Sequence, residues 1–133
     1  MISTRVFAWG VAVAMGVAAT LAVSAQQTGF TRTPVQQGDL SIPGREVVQA
    51  IATIQPGAES GRHTHPGEEF GYVLEGTITV EVQGKPAVTK KAGEGFIIPA
   101  GIVHNAKNAS SAGAKVLATY IIEKGKPVAT PVQ

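Results

Sequence analysis

Residues 57–76 read GAESGRHTHPGEEFGYVLEG, and this stretch decides the fold. Its second half alternates. Side chains on a β-strand point to opposite faces in turn, so residues of one parity share a side. Glu69 has one parity, while Phe70, Tyr72 and Leu74 have the other and face away from it. His63 and His65 share the parity of Glu69. In extended chain two such imidazoles point the same way about 7 Å apart, near enough to converge on one ion. Pro66-Gly67 makes a turn after which Glu69 returns toward the same centre. Glu68, the rival carboxylate, has the wrong parity and is expected at the surface.

The same pattern of short strands between Gly and Pro continues outward. Residues 46–54 (EVVQAIATI) form a β-branched run ending at Pro56-Gly57. Residues 70–74 and 77–82 read as two strands joined at Glu75-Gly76, which predicts a hairpin. Further strands are expected over residues 87–91, 95–98, 104–108 and 114–122, with Gly93, Pro99-Ala100-Gly101 and residues 110–113 between them. Beyond residue 25 no window carries an apolar stripe of helical period, so the fold class is all-β, a sandwich or barrel. Residues 26–45 are polar and broken by Gly29, Pro34, Gly38, Pro43 and Gly44; they read as an extended, mostly irregular N-terminal arm. The barrel domain is placed at 46–123. The tail, residues 124–133, holds two prolines and is expected to fray or lie along an edge.

The N-terminal segment differs from all of this. Arg5 is followed by residues 6–23, which carry no charge, and then by the small residues Val23-Ser24-Ala25. This layout predicts a secretory signal peptide over residues 1–25 and a periplasmic or secreted location. An uncleaved membrane anchor is the competing reading, because the uncharged run approaches the length that spans a bilayer. The chain has no cysteine, which excludes a lipid-modified cysteine, a disulfide framework and thiolate metal sites. Eleven Lys and Arg stand against nine acids, a balance that gives no case for nucleic acid. A short exported domain without disulfides needs another source of stability, such as a bound metal or a second copy.

The third histidine, His104, lies in residues 93–108, GEGFIIPAGIVHNAKN. Taken together the two stretches resemble the two conserved motifs of the cupin superfamily. The first is Gly57, five residues, His63, one, His65, three, Glu69, six, Gly76. The second is Gly93, five, Pro99, one, Gly101, two, His104, three, Asn108. Every fixed position is filled, and the resemblance spans about residues 46–122. It implies a double-stranded β-helix, the cupin jelly-roll barrel, with His63, His65, Glu69 and His104 as ligands of one metal ion. It also implies a homodimer, with the N-terminal arm laid across the partner.

Imidazole with carboxylate suits a divalent transition ion (Fe, Mn, Co, Ni, Zn or Cu) rather than Ca or Mg. Folding after export favours Zn, Cu or Ni in isolated material even where Fe or Mn is the working ion. The resemblance does not fix the reaction. Small cupins include oxygenases, decarboxylases, lyases and proteins without turnover. The first reading is a dioxygenase-like enzyme on a small organic molecule. The second is a non-catalytic cupin that binds a metal or small ligand as sensor, carrier or accessory protein. The third is an oxygen-independent decarboxylase or lyase. No Arg falls in the motifs at ligand parity, and Tyr72 and Tyr120 read as packing residues, so no substrate clamp or catalytic acid is assigned.

Overall fold

The computed structural model describes residues 27–133; the segment read as a signal peptide lies outside them. Ten strands are formed: β1 (Phe30–Asp39), β2 (Arg45–Ile54), β3 (His63–Thr64), β4 (Gly67–Glu75), β5 (Thr77–Val82), β6 (Val88–Lys91), β7 (Gly95–Ile98), β8 (His104–Lys107), β9 (Ala114–Glu123) and β10 (Thr130–Pro131). They make two five-stranded antiparallel sheets, ordered β1-β2-β9-β4-β7 and β10-β3-β8-β5-β6. The all-β barrel expected from the sequence is what the chain adopts. No described helix is long and apolar enough to cross a membrane.

The core lies between the sheets and follows from alternation. In β4 the inward residues Gly67, Glu69, Gly71 and Val73 are buried, while Glu68, Phe70, Tyr72 and Leu74 are exposed. In β9 the buried set is Ala114, Val116, Ala118, Tyr120 and Ile122. Ile54, Ile78 and Ile98 complete the interior, each at most 1 % exposed. Fully burying one such side chain stabilises the fold by roughly 1.5–3 kcal/mol.

Two sequence expectations need correction. Residues 75–76 do not close a hairpin: β4 pairs with β7 and β9, whereas β5 pairs with β6 and β8 in the other sheet. Glu75-Gly76 is a corner where the chain crosses between sheets. Gly76 takes φ +76°, and a Cβ there would meet the Gly113 carbonyl oxygen at 2.5 Å. A tight Glu-Gly step serves a corner as well as a hairpin, which is why the local signal misled. The second correction is the arm. Residues 30–39 form a regular strand paired with β2 from Phe30↔Ile54 to Asp39↔Glu46. It looked irregular because it is an edge strand, mostly exposed, and so lacks an apolar alternation. Pro34, which has no N–H to donate, sits where the register shifts between Pro34 and Gln36, a place a sheet tolerates it.

Asn108 holds the loop after β8. It is 1 % exposed, and its amide donates to the carbonyls of Ile54 (2.9 Å) and Ala112 (2.8 Å). Its carbonyl accepts from the Ser110 N–H (3.0 Å) and hydroxyl (2.6 Å). Asn108→Ala would orphan these buried groups, and we expect a loss of about 2–4 kcal/mol, read as a lower denaturation midpoint with unchanged slope.

Candidate metal centre

Strand pairing delivers the four predicted residues to one place. His63 on β3 lies directly opposite His104 on β8. Glu69 on β4 lies opposite Tyr120 on β9, so both point inward from the other sheet. His65 follows β3 before the chain turns at Pro66. All four are buried, at 2–7 % exposure. Nitrogens of the three imidazoles lie within 4.8 Å of one another, a grouping able to hold a metal ion. Glu69 Oε2 reaches His65 Nε2 at 3.0 Å and His104 Nε2 at 3.1 Å. Glu68 is exposed on the opposite face, as its parity predicts.

The outer nitrogens fix the tautomers. Each Nδ1 meets a backbone carbonyl: His63 on Gly61 (2.7 Å), His104 on Ile102 (3.0 Å) and His65 on Val128. A carbonyl only accepts, so every Nδ1 carries the proton and every Nε2 is turned toward the centre. Such outer hydrogen bonds orient metal-ligating imidazoles and raise their basicity. In a neutral ring of this tautomer, Nε2 has a lone pair and no proton. Yet two Nε2 atoms stand at hydrogen-bond distance from a carboxylate oxygen, which also only accepts. Lone pairs facing a carboxylate call for positive charge, either a proton on each ring or one divalent cation among them. The donor set and its orientation fit a first-row divalent ion.

Electrostatics point the same way. Burial lowers the His63 pKa to about 4; the Gly61 hydrogen bond opposes this, while the positive charges of His104, Arg32 and His65 push it further down. His63 is therefore a neutral donor well below neutral pH. For Glu69, burial acts upward, but the hydrogen bonds and charges that protonated His104 and His65 direct at it outweigh burial and hold the carboxyl at about 2. Glu69 is ionised.

Two residues at the site were not assigned from the sequence. Tyr120 is 1 % exposed, and its ring packs against His65 with centroids 4.6 Å apart. Burial, then the charge of Glu69, raises its pKa to about 12, so the phenol keeps its proton. Tyr72, by contrast, is on the outer face. Arg32 comes from β1: it pairs with Ala52, which pairs with Val116, so it belongs to an inward row. Its Nη2 lies 3.1 Å from His63 Nε2, and its Nε donates to the Tyr120 hydroxyl at 3.3 Å. The available signal was slight: Arg32 is the one charged residue between Gln26 and Gly38. Beside these groups lies a cavity of about 20 Å³, whose further walls include Phe30, Ile54, Val80, Phe96 and Val116.

Residues 50–120, more than half of the chain, match the family described as Cupin domain. The chain belongs to the cupin family. Among curated relatives, this cupin is 34 % identical over 79 residues to the HTH-type transcriptional regulator PuuR of Escherichia coli K12; the match covers 59 % of this chain and 42 % of PuuR. The cupin chain thus spans less than half the length of that relative. Among solved structures it is similar to a conserved double-stranded β-helix protein from Klebsiella pneumoniae, with TM-score 0.65, 20 % identity, and coverage of 80 % of this chain and 87 % of that one. It is also similar to an oxalate oxidase in complex with glycolate, with TM-score 0.64, 22 % identity, and coverage of 83 % and 57 % respectively.

The C-terminal tail is part of the site's support. β10 pairs with β3, the Val132 N–H donates to the Arg62 carbonyl at 2.9 Å, and Val128 holds His65 Nδ1. Of the two fates expected for the tail, lying along an edge is the one it takes. Removing residues 127–133 frees the His65 ring, and we expect metal affinity to fall about 10- to 100-fold. Competition with a chromophoric chelator checks this.

Proposed function

We propose that this cupin is an exported metal-dependent enzyme, dioxygenase-like in type, acting on a small organic molecule. His63, His65, His104 and Glu69 would hold one divalent transition ion, of the set Fe, Mn, Ni, Zn and Cu. The observation that carries this reading is the convergence of three Nε2 atoms, each ring locked from behind by a carbonyl. A bound ion would supply Lewis acidity and open coordination positions for substrate oxygen. The chain's own groups do the rest. Phe30, Ile54, Phe96 and Val116 give the cavity apolar walls, and the protonated Tyr120 hydroxyl is a donor for an oxygen in the cavity. Glu69, ionised and touching two imidazoles, would be the anionic ligand of the set. The small cavity favours a small substrate, and an oxidase shares the fold. Dimerisation would cover Phe70, Tyr72, Leu74 and Ile97, which are 39–61 % exposed on the outer face of the first sheet.

Oxygen uptake over a panel of phenolics and diketones, with each metal added back, tests the proposal. Metal-dependent uptake with one substrate class supports it. Tight ligand binding without any turnover supports the second reading, a non-catalytic ligand-binding cupin, which the likeness to a transcriptional regulator favours. Metal-dependent turnover of a carboxylate without oxygen would point instead to decarboxylase or lyase chemistry.

A further inference from the structure

Arg32 makes the site electrically incomplete. Its guanidinium is half-buried, stacked over the Phe30 ring at 4.8 Å and tied through Nε to the Tyr120 hydroxyl. Among the described residues no carboxylate forms an ion pair with it. Its Nη2 instead donates to His63 Nε2 at 3.1 Å, the very lone pair that faces the centre. An ion held by that nitrogen takes the lone pair away from Arg32. The guanidinium then keeps its place, through Phe30 and Tyr120, with a donor edge turned to the cavity and a second positive charge beside it. Glu69 supplies one negative charge against the two of a divalent ion and the one of Arg32, and an anion between ion and guanidinium offsets the remainder.

Resting on the reading of the four residues as a metal centre, we propose that the natural ligand is a small oxyanion, a carboxylate or an enolate. One of its oxygens faces the ion and another faces the Arg32 fork. A guanidinium suits this role better than an ammonium, because its planar donors match two oxygens at once. Tyr120 fixes the Arg32 side chain and places its own hydroxyl at the same wall. Substrate class would then be set by β1, a strand outside both histidine-bearing stretches.

The test uses protein loaded with cobalt(II), its metal content measured first. Formate, acetate and lactate are each titrated by calorimetry against the matching neutral amide. The expected result is at least a tenfold preference for one or more of the anions. Arg32→Gln should abolish that preference at unchanged metal content, and Arg32→Lys should restore part of it. Binding of every anion no better than its amide, or unchanged anion affinity in Arg32→Gln, overturns the proposal while leaving the metal centre standing. A wild-type protein that takes up no cobalt overturns both.

Discussion

Gly67→Ala is expected to leave little folded protein. Gly67 begins β4 and pairs with Ile122 on β9. Its backbone takes no unusual φ, so conformational freedom is not the reason. Space is. A Cβ at this position would overlap the Ile121 carbonyl oxygen and lie 2.7 Å from the Ile121 carbonyl carbon and 2.8 Å from Ile122 Cα. All three are backbone atoms of a strand paired on both sides, so neither strand can yield without breaking the ladder. The displacement would fall two residues from Glu69. We expect a loss above about 4 kcal/mol, the range reached only by substitutions that break the packing itself. Soluble yield and thermal unfolding measure it. Gly38→Ala is the control: it lies on the edge strand, a Cβ there meets nothing within 4 Å, and stability should hold.

His104→Ala should produce the largest change in metal binding. It removes the imidazole paired across the sheet with His63 and one of the two nitrogens on Glu69. Losing the hydrogen-bonded support of a ligand typically costs 10- to 100-fold in affinity, so losing the ligand itself should exceed about 100-fold. The fold should persist, because the change opens space beside the other two imidazoles, whose ring centroids lie 4.2 and 4.8 Å from that of His104. Chelator competition reads the affinity and unfolding confirms the fold. Glu68→Gln, one residue from Glu69 but outside the barrel, should bind metal as the parent does.

These expectations show what the linear sequence carries and what it does not. Alternation in residues 67–73 fixes which face is inward, and parity alone separates Glu69 from Glu68. Period is a local property of the chain, so it is legible. The corner at Gly76 is not, because turn residues report a bend and not which sheet the next strand joins. β1 was hidden for a related reason: an edge strand exposed along most of its length shows no apolar pattern, although its backbone is as regular as that of β2. Arg32 reaches the site only through that strand's register on Ala52, and His65 is steadied by a carbonyl more than sixty positions away, at Val128. Long-range register has no local signature in a single chain.

The most direct test of the metal centre is anomalous diffraction from crystals of the metal-loaded protein, recorded at the absorption edge of the ion. The account predicts one peak per chain, at about 2.0–2.2 Å from the Nε2 atoms of His63, His65 and His104 and from a Glu69 oxygen. A peak elsewhere, or an ion at the site with Glu69 turned away from it, would contradict it.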